Sequence, residues 1–178
     1  MRKVSLVIMA LLVALPVYAQ LTATGPDNSP KVGEVAPDFP VPAAQRGQPA
    51  GALKDFQGKK NVLLMFFPGA FTPGCTTEFT EAGQHYDKFT ALNIEMLGIS
   101  ADLPGALNKF KTDVGAKNAF VSDRSLAISQ KYDAAGPNNS KRYYFLIDQT
   151  GKIVWKSSNN SLIPTEQLLT QVSMALGK

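Results

Sequence analysis

Six apolar residues in a row, Val62 to Phe67, follow Asn61 and stop at Pro68-Gly69. A short unbroken apolar run suits a strand covered on both faces, as in a parallel sheet, because neither side has to meet water. The period then changes. Phe79, Ala82, Tyr86 and Phe89 recur every three or four positions, which predicts a helix over about 73–91. NIEMLGIS (93–100) reads as a second strand. Leu103, Leu107, Phe110 and Val114 return to helical spacing, with Asp102 as the cap. NAFVSD (118–123) is a third short strand and SLAISQKYDAA (125–135) a helix. RYYFLID (142–148) and KIVWKSS (152–158), joined by Gln149-Thr150-Gly151, form a β-hairpin. In the final PTEQLLTQVSMALGK, Leu168, Leu169, Val172 and Leu176 share a helix face, and Gly177 is a stop signal.

The order is β-α-β-α-β-α-β-β-α, an α/β domain with a mixed central sheet and helices on both faces. That domain spans 37–178, its first part rich in turn formers with short apolar spots at Phe39, Val41, Leu53 and Phe56. Residues 20–36, rich in Pro, Gly, Asn and Thr, read as a flexible arm. Residues 1–19 have the layout of a secretory signal peptide: Arg2-Lys3, an apolar stretch from Val4 to Val17, and a small-residue site ending at Ala19. The apolar stretch is too short to span a membrane, so no membrane association is expected after cleavage. Export is expected by the general route, because neither a twin arginine nor a lipobox cysteine is present.

Charge narrows the partners. The leader holds two of the 18 basic residues and none of the 14 acidic ones, so the mature charge falls from +4 to +2. What remains is scattered, with pairs such as Lys59-Lys60 and Lys141-Arg142 but no basic run. A nucleic-acid surface needs clustered charge, so none is expected. The partner is a small molecule or another protein. No cofactor is implied, and clustered metal ligands are wanting.

The chain has one cysteine, Cys75, at the end of PGAFTPGC (68–75). One cysteine cannot staple the fold, so in an exported protein it is either buried and inert or reactive. Its neighbours favour reactivity. Thr72 is a favoured N-cap and Pro73 is pre-organised for the first helical position, which puts Gly74 and Cys75 in the first turn. Free backbone N–H groups and the positive end of the helix dipole there favour thiolate over thiol. The site also lies at the carboxyl end of a central strand, where open α/β sheets place ligands. A dithiol mechanism would need a second cysteine. A papain-like one would need a nearby histidine, and the single His85 lies almost three helical turns away.

Pro68-x-x-x-Thr72-x-x-Cys75, flanked by VGEVAPDF, VLLMFFPGAFTPGCTTE, LGISAD and RYYFLID in that order, resembles the active-site region of the peroxiredoxins. These are thiol peroxidases of thioredoxin-like fold. The resemblance implies a peroxide substrate and makes Cys75 the peroxidatic cysteine, which becomes a sulfenic acid. It implies that Thr72 turns its hydroxyl toward sulfur and peroxide, and that Pro68 shields the sulfur from water. Arg142 matches the family's arginine before Phe-Leu-Ile-Asp, where a guanidinium stabilises thiolate and leaving oxygen. A solvated strand-edge charge is the other reading of Arg142, and Arg124 is the runner-up. Glu78 either braces an arginine or complements the helix dipole as a first-turn acid.

No second cysteine is available to resolve the sulfenic acid; the position five residues on is Thr80. The chain therefore looks like a one-cysteine peroxiredoxin, recycled by an external thiol from a thioredoxin-like protein, glutaredoxin or glutathione. TPGCTTE and LGISAD resemble the bacterioferritin-comigratory-protein branch or the related mycobacterial one-cysteine branch. The leader and the resemblance together imply the bacterial periplasm, and family members often pair as homodimers. The contrasting reading is a non-enzymatic thiol sensor on the same fold, which would oxidise once and stop.

Overall fold

A computed structural model of the chain describes residues 26–42 and 51–178, so the leader lies outside the described residues. Two short strands that the sequence pattern does not announce come first. β1 (Pro40–Val41) and β2 (Gly51–Ala52) pair antiparallel. A 3-10 turn, Leu53–Phe56, then leads to the apolar run, which forms β3 (Asn61–Phe66).

From there the elements follow the expected order. They are α1 (Pro73–Gln84), α2 (Tyr86–Ala91), β4 (Ile94–Ser100), α3 (Pro104–Asp113), β5 (Ala119–Ser122), α4 (Ala127–Lys131), β6 (Tyr144–Ile147), β7 (Ile153–Ser157) and α5 (Thr165–Ala175). The five main strands lie in the order β5-β4-β3-β6-β7. β3 pairs parallel with β4 and antiparallel with β6, so the sheet is mixed. β3 is central, which is why every one of its residues is buried.

Strand alternation divides the core in two. Leu63, Met65 and Phe67 pack with Phe79, Phe89, Phe110, Leu168 and Val172, so α1, α2, α3 and α5 all feed one cluster. Val62, Leu64 and Phe66 face Phe39, Leu53, Tyr132, Phe145 and Ile153. That second face is covered by the segment before β3 and by α4, not by an equal share of helices. Gly98 in β4 is required by packing: a Cβ there would lie 2.7 Å from the Phe120 ring and 3.0 Å from Phe79. Among the described residues no helix is long and apolar enough to cross a membrane.

Four expectations change. The single helix over 73–91 is two, divided at His85 (φ −98°, ψ 10°). Gly83 weakens the helix there, and lets it abut Gly115, whose carbonyl oxygen would be 3.0 Å from a Cβ. Asp102 does not cap α3, whose N-cap is Leu103. α4 keeps only five residues of the 125–135 helix. Lastly, residues 26–36 do not hang free as an arm. Gly33 N–H donates to Ile153 O, Ile153 N–H to Glu34 O, and Ala36 N–H to Gly151 O. Lys156 Nζ meets Asp27 Oδ2 at 2.8 Å. The edge strand β7 has unpaired backbone groups, and this segment satisfies them.

Candidate active site

The approach to Cys75 is a tight loop held from outside. After β3, Phe71 takes a left-handed conformation (φ 64°), costly for a bulky residue and maintained by its surroundings. Asp102 is one of those surroundings. Its Oδ2 accepts from Ala70 N–H and Ser100 Oγ, each at 2.8 Å, which ties the loop to the end of β4. Thr72 occupies the N-cap position and Pro73 the first position of α1. The Thr72 hydroxyl does not cap. It donates backward to Gly69 O at 3.0 Å, which leaves its lone pairs free to accept.

Cys75 stands in the first turn of α1 with no exposed surface (0%). Three residues on, one helical turn away, Glu78 projects on the same face and is 3% exposed. Between them comes Arg142, from the residue pair just ahead of β6. Its Nη2 donates to Cys75 Sγ at 2.9 Å and its Nε to Glu78 Oε2 at 3.1 Å. Its own N–H donates to Asn160 Oδ1 at 2.7 Å, fixing the backbone from which the guanidinium reaches. The second Glu78 oxygen, Oε1, accepts from the Tyr144 hydroxyl.

The charges follow from burial and pairing. Burial pushes the Glu78 pKa above the ordinary carboxylate value, while the Tyr144 hydroxyl and Arg142 pull the other way. Burial also works against the charge on Arg142, but Glu78 and Cys75 outweigh it and raise its pKa further. Burial, then the Glu78 charge, push the Tyr144 phenol well up, so it remains a donor. The result is a permanent cation aimed at sulfur and held from behind by a carboxylate. Such a donor supports the anionic form of the sulfur and any negative charge that develops beside it.

The structure thus brings together Cys75, Glu78 and Arg142, with Thr72, Gly74 and Pro68 adjacent along the loop and first turn. A Cβ on Gly74 would stand 3.6 Å from Arg142 Nη2 and 3.8 Å from Leu162, so the glycine leaves the guanidinium uncovered on that side. Pro68 is half-buried and lines a cavity of about 300 Å³ with Ala101, Leu103, Ala106 and Arg124. Arg124 is not part of the sulfur's environment. It is exposed, and its Nη1 donates to Ala101 O at 3.3 Å. His85 likewise points elsewhere, with Nε2 2.7 Å from Glu166. Arg46 lies outside the described residues.

Sequence reasoning missed Tyr144, Asp102 and Asn160. For Tyr144 a signal existed: it follows Arg142 by two, so an extended strand puts both on one side. The other two act through loops, where no periodicity marks them. Among the described residues no group of three or more His, Cys, Asp or Glu is placed to hold a metal ion.

Known proteins resemble this chain over most of its length. The AhpC/TSA family model matches residues 32–156. Peroxiredoxin Bcp of Escherichia coli is 33% identical over 134 residues, which covers 71% of this chain and 84% of that protein. Among solved structures, reduced 2-Cys peroxiredoxin of Plasmodium vivax superimposes with a TM-score of 0.70 at 27% identity, covering 80% of this chain and 94% of its own. Peroxidoxin BcpB from Mycobacterium tuberculosis gives 0.68 at 23% identity, covering 83% and 94%, a likeness of fold.

Proposed function

This chain belongs to the AhpC/TSA family, the peroxiredoxins, and from that premise we propose how its one thiol works as a peroxidase. The Cys75 thiolate attacks the terminal oxygen of a hydroperoxide. An S–O bond forms as the O–O bond breaks, Cys75 becomes a sulfenic acid, and the alcohol or water leaves after taking up a proton. Arg142 stabilises first the thiolate and then the charge moving onto the leaving oxygen. Thr72, whose proton is given to Gly69 O, accepts from the peroxide O–H. Pro68 limits water around the sulfur, and hydrogen peroxide and organic hydroperoxides are the substrate class.

The enzyme is of the one-cysteine type, so the cycle closes from outside. A thiol R′SH attacks the sulfenic acid, releases water and leaves a mixed disulfide; a second R′SH frees Cys75 and departs as R′SSR′. A sulfur with no exposed surface cannot meet a protein thiol, so recycling requires the first turn of α1 to open. The reductant is a thioredoxin-like protein, a glutaredoxin or glutathione, and the assembly a homodimer. Export to the bacterial periplasm is supported by Arg2-Lys3, the apolar stretch and Ala19; a mature protein beginning at Gln20, by mass, tests it.

The observation that carries the reading is the 2.9 Å contact between Arg142 and Cys75 Sγ. Its test is steady-state peroxide consumption with a panel of reductants, in wild type and Cys75→Ser. Turnover is expected only with a thiol supplied, and Cys75→Ser is expected to fall to background. Sustained cycling of purified wild type with no added thiol would sink the one-cysteine scheme.

A further inference from the structure

The hydroxyl of Tyr144 has no place in the peroxidase chemistry just described, yet it touches the group that holds Arg142. We propose that Tyr144 is a positioning residue for Cys75: by donating to Glu78 Oε1, it seats that carboxylate so that the other oxygen fixes Arg142 on the sulfur. The inference rests on Cys75 being the peroxide-reducing thiol.

Four observations carry it. Arg142 and Tyr144 are two residues apart at the entry to β6 and grip one carboxylate, one oxygen each. Arg142 reaches Glu78 through Nε alone, and a single bond lets a carboxylate pivot about its last torsion. The Tyr144 hydroxyl removes that pivot. Tyr144 has no exposed surface, so no bulk water stands ready to replace its hydroxyl. Finally, Ile163 N–H points at the same phenol oxygen from 3.5 Å, which leaves the phenol proton for Glu78.

The hydroxyl also bears on charge. Burial favours the protonated form of Glu78, and the phenol is one of the two groups that oppose it. A protonated Glu78 would no longer set a full negative charge against the Arg142 guanidinium, which weakens the hold on it. The contrasting role is that of a buried tyrosine whose hydroxyl merely needs a partner. The two roles differ in what the sulfur feels.

The experiment uses the full mature protein carrying Tyr144→Phe, Glu78→Gln, or both, with Cys75→Ser alongside. The rate constant for Cys75 with hydrogen peroxide is expected to fall about 10–100-fold in Tyr144→Phe, as for a small misplacement of a reacting group. Alkylation of Cys75 against pH, unambiguous with one cysteine, should move toward alkaline pH. In the Glu78→Gln background Tyr144→Phe should add less than about twofold, because both act through one carboxylate. An alkylation profile that overlays the wild type's while only the thermal midpoint falls overturns the proposal, as do factors that multiply in the double variant. Peroxidase activity surviving in Cys75→Ser removes the premise instead, which keeps the two failures apart. If Tyr144→Phe does not fold, the wild type decides: the Tyr144 hydroxyl proton, followed by ¹H NMR, should shift as Cys75 titrates. A resonance indifferent to Cys75 overturns the proposal.

Discussion

Glu78 and Asp123 are buried to the same degree, 3% exposed each, and do different things. Asp123 accepts from Ser129 N–H at 2.7 Å, Ser129 Oγ at 2.8 Å and Ile128 N–H at 3.1 Å. All its partners are neutral and lie five or six residues on, so it fastens the start of α4 to the end of β5. Glu78 reaches 64 residues to Arg142 and 66 to Tyr144. One of those partners is a cation that touches the only thiol. Burial alone therefore does not distinguish a structural carboxylate from a functional one. The distinction is where the other end of each hydrogen bond leads.

The comparison breaks most visibly at the cation. Arg142→Gln is expected to lower kcat/KM for hydrogen peroxide about 10²–10³-fold, the range for removing one donor from a developing charge. A loss of only a few-fold would place Glu78 beside Asp123 as structure. Glu78→Gln should cost about 10²-fold through misplacement of Arg142. Its thermal midpoint should fall as well, because removing one partner of a buried ion pair leaves the Arg142 charge unmatched. Asp123→Ala should spare the activity. Peroxide turnover stays near wild type, while urea denaturation shows a loss of about 1–3 kcal/mol from unpaired buried donors.

The smallest effect concerns pH. Because the Glu78 pKa is raised in the folded state by burial, the fold holds a proton that the unfolded chain has already released. That contribution is complete below the ordinary carboxylate value and is lost as pH rises through the raised one. The stability of wild type minus that of Glu78→Gln, followed by urea titration across this window, should decline with rising pH. A flat or rising difference would show that Arg142 and Tyr144 outweigh burial.

Much of this was legible before the fold was in hand. The apolar run 62–67 announced the central strand, and Gln149-Thr150-Gly151 the hairpin. The site was half legible: Thr72-Pro73 located a helix start and the motif singled out Cys75, Thr72 and Pro68, while Arg142 and Arg124 both stayed candidates. That the Thr72 hydroxyl gives its proton to Gly69 O is a loop contact that no motif reports. The segment 26–36 looked free because its composition is that of a loop. Its anchorage depends on an edge strand more than 100 residues away, which local pattern cannot report.

By itself the sequence determined the kinds and order of elements, because side-chain periodicity and turn chemistry act over a few residues. It also determined that a lone thiol begins a helix at the end of a buried strand. Only the tertiary structure decided which arginine serves that thiol. Arg124 and Arg142 were both candidates, and the pairing of β3 with β6 carries Arg142 to a sulfur 67 positions away while Arg124 stays at the surface. It also decided that Glu78 and Tyr144 stand behind that arginine. Contacts of this range follow from strand order and the direction of the pleat, which no stretch of sequence contains on its own.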